Sequence, residues 1–457
     1  MMQLKKMAAA SLMTLSIGAA YAAPTAEEAA ELGKSLTAVG AIKAGNADGS
    51  IPAYDGGLCT PVAGYQPKSS KGGWPYVDPF ADEKPLYSIN SKNMSEYADK
   101  LAEGTKVMLE RYPDTFRVDV FPTHRTACFP DYVYKNTIER VMKPKLVGDA
   151  PGIMDAHAQF PFPIPKNGFE AMWNGLLRFA GPYEAGGFTQ YVVDNSGNVT
   201  LSNFSTVQDE RRFWDNDLEY SDDMTYWRDI ATQAGPPAQA GSKNMIFQYL
   251  RADERKTKAW TYIPGQRRVR ASPEFTYDTV STLSGVLLFD EINGFDGRMD
   301  KFDFKLLGRQ EMIVPYNDYR RFLQPQKELL TAHHVAPEGH RWELHRVWVV
   351  EGTLKEGERH VQKRKKFYLD EDSWAILLYT SFDHQDKPHH YFVSPVYQEY
   401  DKPQLRSNAM YDLYDLTTGN YTAQVFPGPK GTGYIKLDEP WPANTYTPGG
   451  LAGAGIR

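Results

Sequence analysis

The stretch Trp374-Ala375-Ile376-Leu377-Leu378-Tyr379-Thr380-Ser381-Phe382 decides how the rest of the chain is read. It is crowded with β-branched and aromatic residues, and in extended backbone successive side chains point to opposite faces. Trp374, Ile376, Leu378 and Phe382 then share one face, and Ala375, Leu377 and Tyr379 the other. Both faces are apolar. An antiparallel strand with one wet face alternates apolar with polar, so this strand belongs to a sheet covered on both sides. Helices or an N-terminal arm can cover one side. The other side is either the wall of a cavity or half of a filled two-layer sandwich.

Outward from this strand the hairpin rhythm continues. Phe367 to Leu369 lead into it through Asp370-Glu371-Asp372-Ser373, and Tyr411 to Leu416 turn back at Thr418-Gly419-Asn420. Upstream, Tyr191 to Val193 turn at Asn195-Ser196-Gly197-Asn198 into Val199 to Leu201. Trp260 to Ile263 reach Pro264-Gly265, where Pro presets φ and Gly accepts the positive φ of a type II turn. Such strands, recurring after about Asn174, spell a meandering antiparallel sheet. Before them a helix starts at Asn93 or Ser95, carries Tyr97, Leu101 and Met108 or Leu109 on one stripe, and stops at Pro113. A second helical segment covers Tyr134 to Met142. Residues 23–90, rich in Gly, Pro and small side chains, read as an extended arm with a short helix near Thr25 to Leu36. Residues 91–457 remain as a single β-rich domain.

Lys5 and Lys6 precede an apolar run from Met7 to Ala20, and Ala20-Tyr21-Ala22 stands ahead of Ala23, so residues 1–22 read as a secretory signal cleaved near Ala22. The run is too short to span a bilayer. No cysteine stands immediately after the cleavage site, which predicts a protein free in the periplasm without a lipid anchor. Cys59 and Cys128 are the only cysteines, and in an oxidising compartment they are expected to pair; two buried thiols are the alternative. Loss of Lys5 and Lys6 takes the net charge from −6 to −8, and no long basic run offsets it, which argues against nucleic acid and anionic membrane surfaces as partners.

The chain lacks the Gly-x-Ser-x-Gly elbow of many hydrolases and the glycine patterns of Walker and dinucleotide sites. His333-His334, His340, His345, His384 and His389-His390 follow no zinc-protease spacing, and Asn293 to Gly297 with Asp300 and Asp303 lacks the closing Glu of an EF-hand loop. No catalytic residue, cofactor or metal ligand is nominated. Arg267, Arg268 and Arg270, the run Lys363 to Lys366, His345-Arg346, and Asp278, Asp290, Glu291, Asp370 and Asp372 gather near hairpin mouths. They form either solvated ion-pair networks or the polar rim of an apolar cavity.

Four blocks carry a resemblance: Gly40 to Tyr54 (GAIKAGNADGSIPAY), Trp260 to Arg270 (WTYIPGQRRVR), Val314 to Asn317 (VPYN) and Glu343 to Glu351 (ELHRVWVVE). In that order they resemble a large Gram-negative family, domain of unknown function 1329, whose members are labelled outer-membrane lipoprotein-sorting-like. The resemblance runs from about Ala30 to about Asn420. It implies a mainly β (α+β) fold similar to the Lol lipoprotein carriers: a large curved antiparallel sheet or incomplete barrel, covered by helices over an apolar cavity. It also implies a periplasmic binding or carrier protein for a lipid-like or hydrophobic molecule moving between inner and outer membrane, with an outer-membrane protein and an inner-membrane exporter as partners. On that reading the cavity or its rim is expected at Trp260, Tyr262, Arg267, Arg268, Arg270, His345, Arg346, Trp348, Tyr368, Trp374, Ile376 and Leu378. Two other functions stay open: an assembly partner of an outer-membrane protein that docks by its arm and a sheet edge without any small ligand, and a periplasmic hydrolase.

Overall fold

The computed structural model describes residues 23–67, 76–149, 151–222, 224–272, 277–281, 284–407, 410–425 and 435–453. The signal expected in residues 1–22 lies outside them. The strand that opened the sequence reading spans Ile376–Phe382 and pairs with Arg364–Asp370 across the turn expected there. Its two faces are both covered, but the division between them differs from simple alternation. Leu369 is opposite Ile376 and Tyr368 is opposite Leu378, so Leu377 is an extra residue, a β-bulge. A bulge reverses the phase of alternation beyond it. Trp374, Ile376 and Tyr379 therefore enter one core, while Ala375, Leu377 and Leu378 enter the other. Ile376, Leu377 and Leu378 are fully buried, each worth about 1.5–3 kcal/mol of transfer free energy.

The hairpins accumulate into one 16-stranded sheet. Its first half is the meander Tyr183–Val193, Val199–Glu210, Thr225–Gly235, Lys243–Tyr249, Lys258–Ile263 and Arg268–Ala271. Its second half runs from Phe302–Pro315 through Trp342–Leu354 to Tyr421–Val425, and Tyr421–Val425 pairs antiparallel with Tyr183–Val193, joining the halves. Among the described residues, the strand pairings of this sheet are antiparallel except for a parallel bridge between Trp342 and Val120. The sheet stays open, with Tyr87–Ile89 at one edge and Arg268–Ala271 at the other. The expected mainly β architecture, one large antiparallel sheet with a few covering helices, is what the chain adopts.

Two local expectations are corrected. The helix expected from Asn93 to Pro113 is two pieces, a 3-10 turn Met94–Lys100 and an α-helix Glu103–Arg111. Leu101 and Ala102 between them are extended and buried, because reaching the core outweighs continuing the turn. In the Trp260–Ile263 hairpin the positive φ falls on Arg267 (48°), at the end of a 3-10 turn Pro264–Gln266, and not on Gly265.

One face of the sheet packs the helix Gly168–Leu176 and the segment around Phe129, Phe160 and Trp214. The opposite face packs the helix Glu103–Arg111. That helix sits close: a Cβ on Gly104 would lie 2.1 Å from the Tyr391 ring, and the Gly104 amide donates to Thr380 Oγ1 at 3.0 Å. The N-terminal arm does not hang free. Arg346 donates to the carbonyls of Ile42 and Ala44, Arg125 to those of Lys43 and Pro52, and the Trp374 indole to Val39. Cys59 and Cys128 form a disulfide with Cα atoms 5.6 Å apart across 69 residues. Closing a loop of that length contributes about 4 kcal/mol in the chain-entropy model. Among the described residues no helix is long and apolar enough to cross a membrane.

Candidate functional site

Among the described residues the most apolar hollow is not beside the doubly apolar strand, where both faces are filled. It lies over the first meander, on the face that carries the helix Gly168–Leu176. Alternation there presents Phe188, Val207, Trp227, Ala231 and Ile246 to the same side, with Tyr411 from the neighbouring half. Val207 is directly opposite Gly186 on one neighbouring strand and Ala231 on the other. These two positions supply almost no side-chain volume, so the floor stays low between taller neighbours. Residues 284–293 cross above as a roof, contributing Leu287, Phe289 and Ile292. The enclosed space is about 160 Å³, room for about ten waters if it were wet.

The roof is pinned at its far end by buried charges. Asp290 accepts from Lys365 Nζ at 2.5 Å and His360 Nε2 at 3.1 Å, and Glu291 from His390 Nδ1 at 2.8 Å and Gln362 Nε2 at 2.5 Å. Burial alone would raise the Glu291 carboxyl, but the His390 charge and hydrogen bond and Lys365 outweigh it and hold it at about 2. Burial lowers His390, and Glu291 more than reverses this.

Polar groups ring the cavity. Arg406 donates to both oxygens of Glu184, at 2.8 and 2.7 Å. Asp209 accepts from the Trp227 indole at 2.7 Å and from Arg211 at 3.3 Å. Gln190 donates to the Tyr411 hydroxyl at 2.9 Å. Arg178 and Asp229 complete the charged lining. Burial pushes the Arg178 guanidinium down to about 9, with Arg211 adding to the effect. Burial, followed by the neighbouring carboxylates Asp209 and Asp296, pushes the Asp229 carboxyl well above the usual range.

None of the twelve residues expected at the cavity lines it. Tyr262 packs with Ile230 and Met245 on the opposite face of the first meander, and Trp260 packs against Phe247 with ring centroids 5.1 Å apart. Arg267, Arg268 and Arg270 stand at the outer edge strand. Trp348 and Trp374 stack at 5.8 Å within the helix-bearing core, joined by Ile376, whereas Tyr368 and Leu378 lie in the core on the other face. His345 and Arg346 enter a buried ionic cluster. His345, Asp370 and Asp372 approach closely enough to hold a cation, but Arg125 already donates to both Asp372 oxygens at 2.6 and 2.8 Å. Tyr316 and Ser373 donate to Asp370. Arginine supplies the positive charge that a cation would bring, and the cluster clamps the arm onto the sheet. The missed cavity residues had one legible signal, the small residues Gly186 and Ala231 inside otherwise well-formed strands.

Fold and site together define a mainly β protein built as one open antiparallel sheet around a roofed, apolar side cavity. The chain belongs to the family described as protein of unknown function (DUF1329), whose sequence profile spans residues 88–452. The family reading made from the four sequence blocks is borne out. An uncharacterized protein of Pseudomonas aeruginosa is 36% identical over 446 residues, covering 95% of both chains. A Vibrio parahaemolyticus domain assigned to outer-membrane lipoprotein sorting aligns with 62% of this chain and 98% of its own at 12% identity and a TM-score of 0.43. A LolA superfamily protein from Nitrosomonas europaea aligns with 62% of this chain and 97% of its own at 9% identity and a TM-score of 0.35.

Proposed function

We propose that this protein binds and carries a lipid-like or otherwise hydrophobic molecule in the cavity over the first meander, and that it does so in the periplasm between the two membranes. The supporting observation is a space of about 160 Å³ whose floor and roof are apolar side chains on well-formed strands and an anchored segment. Burying about 300 Å² of apolar ligand surface is worth roughly 7 kcal/mol before the costs of association. That suits reversible retention, which a carrier that must release its load requires. The reading is one of binding rather than turnover. It is tested by uptake of the neutral fluorescent probe N-phenyl-1-naphthylamine and by mass spectrometry of what co-purifies from the periplasm. Saturable uptake and an extractable hydrophobic compound are expected; clean protein that leaves the probe dark refutes the proposal.

The packing of the arm weighs against docking through it, one half of the assembly-partner alternative by arm and sheet edge. Val39, Ala41 and Ile51 are buried, and arginines on the body grip the arm backbone, so the arm is part of the fold.

A further inference from the structure

Among the described residues, two ionisable side chains in the cavity wall lack an ion-pair partner. Arg178 is 5% exposed and enters just after the helix Gly168–Leu176. Its guanidinium donates to the Gly175 carbonyl at 3.2 Å, and among the described residues it makes no ion pair. Asp229 is 9% exposed on the cavity floor, and no described group hydrogen-bonds its carboxyl. The remaining charges of the lining are matched: Arg406 with Glu184 and Arg211 with Asp209.

Asp229 is directly opposite Asp209 on the adjacent strand, a position where two negative charges repel. Asp209 has the Trp227 indole and Arg211 as donors, so the proton falls to Asp229. The other charged groups acting on Asp229 are Asp296, which also favours the proton, and Arg211, which opposes it. Protonated, Asp229 offers an O–H donor from an apolar floor. Orphaned buried polar groups cost about 1–3 kcal/mol each, which a ligand that satisfies them recovers.

We propose that the cavity takes an amphiphile whose apolar chain lies along Phe188, Val207 and Ile246, whose acidic head, a carboxylate or a phosphate, is received by Arg178, and whose further oxygen is hydrogen-bonded by Asp229. This assignment rests on the binding reading above and adds the chemistry of the head. A bare hydrocarbon or a neutral ester leaves Arg178 unmet.

The test is displacement of N-phenyl-1-naphthylamine from the full mature chain by dodecanoate, dodecyl phosphate and methyl dodecanoate. At least one acid is expected to displace the probe at about tenfold lower concentration than the ester, and the better of the two identifies the head as carboxylate or phosphate. Arg178→Met is expected to abolish that gap, the acid-to-ester ratio being read against the variant's own probe affinity, and Arg178→Lys to keep part of it. Asp229→Asn retains a neutral donor and should compete like wild type, whereas Asp229→Leu should weaken all three competitors. If Arg178→Met fails to fold, the wild-type ratio and Arg178→Lys decide. Equal displacement by acids and ester overturns the head assignment while leaving probe uptake, and with it the binding reading, in place. A protein that never takes up the probe overturns the binding reading itself.

Discussion

Replacing Glu291 by Gln isolates what holds the cavity roof down. The wild-type carboxylate accepts from His390 Nδ1 at 2.8 Å, Gln362 Nε2 at 2.5 Å and the Leu288 amide at 2.9 Å, all out of water. Its carboxyl sits at about 2 in the fold against an ordinary 4.5. At about 1.4 kcal/mol per pH unit that gap amounts to about 3 kcal/mol, in the range of about 3–5 kcal/mol lost when one partner of a buried ion pair is removed. The amide keeps the shape and discards the charge, leaving His390 and Lys365 buried beside a neutral group. Because the folded value lies below the unfolded one, this stabilisation is present above about pH 4.5 and fades as the pH falls toward about 2. His390 is shifted the other way, so its share is present below its ordinary 6.5 and is lost as the pH rises through its raised folded value. At about pH 5.5 both partners are charged, and urea unfolding should show the variant weaker by about 3 kcal/mol. Near pH 3 the difference should shrink to about half. Equal stability at about pH 5.5, or a gap undiminished near pH 3, refutes the reasoning.

Ala231→Trp places an indole in the cavity floor; probe uptake should fall at least about tenfold while the urea midpoint holds, and unchanged uptake would move the binding site elsewhere. Breaking the Cys59–Cys128 bridge with a Cys59→Ser, Cys128→Ser double variant should cost about 4 kcal/mol of unfolding free energy, and a loss below about 1 kcal/mol would show that the closed loop constrains little. Gly104→Ala drives a methyl into the Tyr391 ring and should destabilise by about 1–3 kcal/mol, read by thermal melting, with a neutral result arguing that the helix can back away. Deleting residues 23–64 should yield unfolded protein by circular dichroism rather than a folded body with an arm missing, since Arg125 and Arg346 would lose the carbonyls they bond.

The hairpins were legible because their determinants are local. Asn195 to Asn198 and Thr418 to Asn420 turn where alternating strands meet them, and the pairs Val193–Val199 and Tyr414–Tyr421 follow. The bulge at Leu377 was not legible, since the register of Ile376–Phe382 is settled by Tyr368 and Leu369 on the neighbouring strand rather than by its own sequence. Arg267 took the left-handed position beside a proline and a glycine that suggested a different turn. The cavity escaped for a related reason. It depends on Gly186 and Ala231 meeting the same Val207 from two strands, and on residues 284–293 returning from far along the chain to cover them. Trp260, Trp348 and Trp374, expected at the cavity from the family resemblance, instead fill space. A hollow is marked by small residues.

The open sheet leaves Arg268–Ala271 as its last strand, with no further strand paired to it among the described residues. Such a border invites a second molecule to zip on. Arg267, Arg268 and Arg270 line that border, exposed to solvent. Two copies approaching border to border would crowd these like charges together, a cost that any ladder between them would have to meet.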